Sequence, residues 1–187
     1  MGWLLAHPEP AVVALTLTDL LDCPPDAPEV RPARERFFRG SWVRALLAGQ
    51  RADGGFGTHP YKKWTGAHWR LVSLVELGIP AGDPRALAAA EQVLAWLTSD
   101  EHRAQIRRLN GRTRRCASQE GNALAVCSRL GLAADPRVQR LAAALAEWQW
   151  PDGGWNCDKH PEAAHSSFYE SLAPLWGLMV ETKSQLG

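Results

Sequence analysis

The chain repeats itself. From Leu77 to Leu97 it runs LGIPAGDPRALAAAEQVLAWL, and from Leu130 to Gln149 it runs LGLAADPRVQRLAAALAEWQ. A shift of 52 positions lays Asp83-Pro84-Arg85 on Asp135-Pro136-Arg137 and Trp96 on Trp148. A period near 50 residues restricts the fold to an array of similar supersecondary units. The unit is helical. Asp before Pro starts a helix: the Asp side chain accepts from free N–H groups at the N-cap, and Pro fills the first position, where no donor is needed. Downstream, Ala86, Ala89, Val93 and Trp96 correspond to Val138, Leu141, Leu145 and Trp148. Spacings of three and four lay these along one helical face.

Each Asp-Pro helix follows another helix that stops at a glycine, Gly78 after WRLVSLVEL and Gly131 after NALAVCSRL, where a left-handed C-cap is required. Between Trp69 and Leu77 only Arg70, Ser73 and Glu76 are polar, so this preceding helix belongs inside. The Asp-Pro helices carry Arg85, Glu91, Arg140 and Glu147 and belong outside. The predicted unit is an inner–outer helical hairpin, and the fold class is all-α, one domain over 1–187. A second signature, Q-x-x-D-G-G-[FW], occurs as Gln50 to Phe56 and Gln149 to Trp155. Asp-Gly-Gly forces a tight turn with positive φ, the Gln ties helix to loop, and the aromatic packs over both. Between these turns lies the polar stretch TSDEHRAQIRRLNGRTRR, expected to be a solvated loop.

These turns resemble the QW motifs, Q-x-x-x-G-x-W, of the squalene–hopene cyclase and oxidosqualene cyclase superfamily. That superfamily shares its α/α toroid with protein prenyltransferase β-subunits. The resemblance spans about Arg34 to Leu178 and implies an arc of a toroid in which Gln50, Phe56, Gln149 and Trp155 are fold determinants. It also implies an isoprenoid or other apolar substrate. The D-x-D-D acid motif of the cyclases and the D-D-x-x-D diphosphate motif are both missing from the sequence.

A toroid would gather the N-terminal ends of its inner helices on one rim. Before the first inner helix come Lys63, Trp64, His68 and Trp69; before the second, Cys116 and Glu120; before the third, Cys157, His165, Tyr169 and Glu170. Prenyltransferases hold zinc at this rim with an Asp-x-Cys pair and a His, and Cys116, Cys157 and His165 resemble that set. Asp158, Glu120 or His160 would supply a fourth ligand. Thiolate and imidazole suit Zn²⁺. The Asp-x-Cys pair is missing, however, and alignment on Gly177 puts Glu170 at the zinc His position. Glu170 also stands three after Ser167, as in a capping box. The acid–base candidates are His68, Glu120 and Tyr169; the substrate-binding candidates are Lys63, Trp64, Trp69 and Trp176. A structural role suits His68 and these indoles equally well, and Cys127 reads as a buried thiol.

Composition removes several classes. Twenty-one basic against 20 acidic residues give no field to gather a nucleic acid. No apolar run approaches the roughly 20 residues of a transmembrane helix. The N-terminus lacks a basic region, and Pro8 and Pro10 break its apolar stretch, so the expected location is cytoplasmic with the four cysteines reduced. Nine Trp against four Phe and two Tyr fit repeat positions or an aromatic-lined cavity. Two other functions compete: a non-catalytic helical-repeat module binding another chain, and an α/α-barrel enzyme on carbohydrate using Glu120 and Glu170 as facing carboxylates. A closed six-hairpin ring needs on the order of 300 residues. The chain supplies about three and a half hairpins, so the expectation is an incomplete ring: a truncated form, one that pairs with a second copy, or one completed by another polypeptide.

Overall fold

The computed structural model describes residues 1–186. They are mostly helical, in the order α1 (Gly2–Leu5), α2 (Pro10–Leu15), α3 (Arg31–Glu35), α4 (Ser41–Leu47), α5 (Ala67–Glu76), α6 (Pro84–Leu97), α7 (Asp100–Ala104), α8 (Ser118–Arg129), α9 (Pro136–Trp148) and α10 (Phe168–Leu186). A hairpin of β1 (Arg107–Leu109) and β2 (Arg112–Arg114) separates α7 from α8. None of these helices is long and apolar enough to cross a membrane.

The two repeats form as hairpins α5–α6 and α8–α9, each with its helices in contact. Asp83 accepts from the N–H groups of Arg85 (3.0 Å) and Ala86 (3.1 Å), and Asp135 from that of Arg137 (2.7 Å). The inner helices end identically. Gly78 and Gly131 hold φ near +86° and +88°, and each is followed by a back-bond across the last turn, Ile79 N–H to Leu74 O and Leu132 N–H to Cys127 O. This is the Schellman closure that glycine permits.

The core is one cluster spanning both hairpins. Leu71 and Leu74 of α5, Val93 and Leu94 of α6, Leu124 and Cys127 of α8, and Val138 and Leu145 of α9 share it with Trp155. Helix α8 is buried around nearly all its circumference and touches α5, α6, α9 and α10. It meets α10 backbone to backbone: a Cβ on Gly121 would overlap the nitrogen of Pro174, and a Cβ on Gly177 the carbonyl of Gly121. Pro174 has no N–H to strand in that contact. Arg70 ties α4 to α5, donating from Nη1 to the carbonyls of Ala45 and Leu46 at 3.0 and 2.7 Å, which would otherwise be free at the end of α4.

The stretch after Leu97 departs from the expected solvated loop. It forms α7 and then a tight antiparallel hairpin whose turn, Asn110-Gly111, has positive φ at both residues. Asn-Gly between two short strands favours that turn. The basic cluster is divided rather than solvated. Arg114 is buried with its guanidinium 4.5 Å from the Trp150 ring, and Arg115 turns inward to Glu120.

Candidate functional site

The N-terminal ends of α8 and α10 meet. Glu170, in the first turn of α10, accepts through Oε2 from the N–H of Ser118 at the start of α8 (3.2 Å). It therefore caps the neighbouring helix and makes no capping box with Ser167. The β-hairpin completes the assembly. Arg114 bridges to Asn156, and Arg115 N–H donates to Asn156 O at 3.2 Å, so the segment entering Cys116 runs beside the turn that carries Cys157.

The result is a cluster of three ligand-type side chains. Cys116 Sγ, Cys157 Sγ and a Glu170 carboxylate oxygen all lie within 4.8 Å of one another. The Cys157 thiol donates to Glu170 Oε1 at 3.5 Å. Burial pushes the Cys157 thiol up to about 12, and its neighbours Cys116 and Glu170 add to the shift. Three groups that ionise to anions are crowded together with the thiol form favoured, an arrangement that a cation would relieve. Ligand sulfurs on a tetrahedral Zn²⁺ lie about 3.8 Å apart, given Zn–S near 2.3 Å.

His165 does not join this cluster. Its side chain is exposed, with Nδ1 4.0 Å from Asp152 Oδ2. Asp158 and His160 are exposed as well, the Asp158 carboxylate accepting from His160 N–H at 2.8 Å. Glu120 is committed elsewhere. It is buried, takes Arg115 Nη2 at 2.7 Å and Arg115 Nε at 3.0 Å, and lies 3.1 Å from His102 Nε2. Arg115 also contacts His102 and donates to Gln119 Oε1 at 2.6 Å. Glu120 and Glu170 thus have separate partners.

The remaining sequence candidates divide by burial. His68 is fully enclosed, with no hydrogen-bond partner for Nε2. Burial lowers its pKa to about 4, Glu120 opposing weakly, so its imidazole is neutral near pH 7. Trp69 is half-buried between Tyr61 and Trp64. Trp64 is itself exposed, at positive φ, with Lys63 Nζ 5.4 Å from its ring. Tyr169 is exposed, and Trp176 is half-buried under the guanidinium of Arg129. Rather than lining an opening, the aromatics near α5 pack on one another. Tyr61 stacks on Trp96 with centroids 5.3 Å apart and abuts His68 at 5.1 Å.

Four residues around Glu120 and the cluster have no signal in the repeat: Tyr61, His102, Arg115 and Gln119. Burial raises the Tyr61 pKa, Cys116 and Glu170 adding to the shift and Gln119 opposing it. Arg115 sat within a basic run that resembles an exposed loop, and His102 entered the core only because α7 formed. No protein-family model, curated protein or solved structure matches the chain.

Proposed function

We propose that the chain is a metal-binding protein of the terpenoid-cyclase and prenyltransferase-like kind, with its inner–outer hairpins following the arc of an α/α toroid. The metal is zinc, held by Cys116, Cys157 and Glu170. The convergence of these three side chains from three separate elements carries the reading. Two thiolates and a carboxylate form a borderline-soft donor set, and three protein ligands leave one position open for water or substrate. Zinc there supplies Lewis acidity or a bound nucleophile. The protein's own contribution is positional: Arg115 and Glu120 fix the start of α8, and Gly121 against Pro174 fixes α10 relative to it. An apolar substrate at this rim is part of the proposal, with the exposed Tyr169 next to Glu170 in sequence and the exposed Trp64 and Lys63 preceding α5.

Metal analysis of protein purified without chelators tests the reading. One zinc per chain is expected, lost in Cys116→Ser and Cys157→Ser and weakened at least about tenfold in Glu170→Gln. Absence of zinc, together with a Co²⁺ titration that shows no thiolate charge-transfer band, overturns it. A second reading, the helical-repeat binding module, is favoured by one observation. Phe168, Leu172, Leu175 and Met179 are spaced along one face of α10 and exposed. A flat tryptophan response to farnesyl and geranylgeranyl diphosphate would favour that module over a transferase.

A further inference from the structure

A cleft of about 430 Å³ lies between the α6–α7 corner and α9, within the size range of small-molecule sites. Part of its wall is apolar, formed by Leu97, Ile106, Leu141 and the half-buried Trp148. Two guanidinium groups border it, Arg103 of α7 and Arg140 of α9, both exposed. Neither guanidinium makes a hydrogen bond or close ion pair among the described residues, and Arg140 acts on Asp135 only through longer-range attraction. The acidic groups in the lining are different. Glu120 is held by Arg115, and Glu147 has Arg108 at 3.9 Å. Glu147 and Arg108 are both largely exposed, so their pairing is loose; with Arg103 and Arg140 counted against Glu147, the charge bordering the cleft is still net positive, and it lies beside apolar side chains.

That pairing selects a ligand class. A neutral apolar molecule would leave both guanidiniums without a partner. A polyanion would have no use for the apolar wall, and the near-neutral chain offers it no wider field. An anion with an apolar body satisfies both parts: charge-assisted bonds at the lip and removal of apolar surface inside. We propose that this cleft binds an amphipathic carboxylate, its head between Arg103 and Arg140 and its body against Leu97, Ile106, Leu141 and Trp148. The proposal is independent of the metal cluster.

Calorimetry with decanoate and decanol, each below its aggregation concentration, tests it on the full chain. Decanoate is expected to bind saturably and at least about tenfold more tightly than decanol, the discrimination that hydrogen bonds to a charged head provide. Arg103→Ala with Arg140→Ala should abolish that preference while leaving the decanol affinity within about twofold. Both residues are exposed, so the double variant is expected to fold, which circular dichroism verifies. Ala144→Phe, which fills the cleft from α9, should weaken both ligands. Equal affinity for the two ligands, a preference that survives the double Arg variant, or no saturable decanoate binding would each overturn the proposal.

Discussion

The two Asp-Gly-Gly turns share a sequence pattern and a local shape, yet they clamp different things. In both, the residue after Gln exchanges backbone bonds across the turn: Arg51 N–H to Gly55 O and Gly54 N–H to Arg51 O, then Trp150 N–H to Gly154 O and Gly153 N–H to Trp150 O. In both, the Gln amide donates into the turn, Gln50 to Gly54 O at 3.0 Å and Gln149 to Gly153 O at 2.8 Å. Beyond that they part. Gln50 also reaches Arg85 O of α6 at 2.8 Å, and Gln92 of α6 reaches back to Asp53 O at 2.7 Å. Among the described residues, the second turn makes no Gln bond to a neighbouring helix. It is anchored by the buried Trp155, which donates from Nε1 to Leu145 O of α9 at 2.9 Å, and by Trp150, whose Nε1 donates to Thr113 O of β2 at 2.8 Å. Arginines at repeat-equivalent positions differ in the same way. Arg85 pairs with its own Asp83 and covers Phe38, whereas Arg137 also spans to Glu91 of α6. A repeat motif dictates its local geometry, and the neighbour it meets decides which hairpins become linked.

The aromatic anchors give the largest expected contrast. Trp155→Ala removes a fully buried indole and strands Leu145 O, and should cost about 3–5 kcal/mol in denaturant unfolding. Phe56 is only partly buried, one face covered by the Arg70 guanidinium at 4.4 Å. Phe56→Ala should therefore cost about half as much. Equal losses would mean that the two turns are anchored alike, and the distinction between them would fail.

The 52-residue shift also lays His68 on Glu120, two buried side chains treated in opposite ways. Glu120 keeps its charge partners, whereas His68 has none at Nε2 and burial holds its pKa near 4. An unfolded His takes up a proton near pH 6.5, while the folded His68 does not until about 4. Stability from this group is therefore complete above pH 6.5 and declines as pH falls toward 4, by about 3 kcal/mol in all. His68→Leu should flatten that part of the stability–pH curve in urea titrations. A slope unchanged in the variant would assign the pH dependence to other groups.

What the sequence makes visible follows from range. Asp-Pro starts, glycine stops and Asp-Gly-Gly turns are local devices, legible because each residue's partner lies within a few positions. The hairpin at Asn110-Gly111 is equally local, and it was obscured by the surrounding arginines, which resemble a solvated run. The candidate metal cluster depends on longer reach. Cys116 and Cys157 are brought together where the strand of Arg114 and Arg115 pairs with Asn156, which no spacing rule anticipates. Glu170 enters the cluster because α10 packs on α8 closely enough to cap it, a consequence of Gly121 facing Pro174. His165 belongs to the same sequence neighbourhood, but it precedes α10 and faces Asp152. Tryptophan count alone did not separate a lined cavity from a packed cluster; the ring contacts of Tyr61, His68, Trp69 and Trp96 do.

The smallest expected effect isolates the link between hairpins most cleanly. Gln50 and Gln149 make the same bond within their own turns, so Gln→Ala at either position loses that bond, worth about 1 kcal/mol. Gln50→Ala also loses the bond to Arg85 O, for a total of about 2 kcal/mol. That excess should disappear when Pro84 and Arg85 are already displaced from the turn, because the second bond needs α6 in place. A double-mutant cycle between Gln50→Ala and Asp83→Ala, which weakens the α6 start, should therefore show coupling of about 0.5–1 kcal/mol. The matching cycle of Gln149→Ala with Asp135→Ala should show none, since Gln149 bonds only within its own turn. Coupling of equal size in both cycles would make the linkage a property of the motif itself rather than of the neighbouring helix.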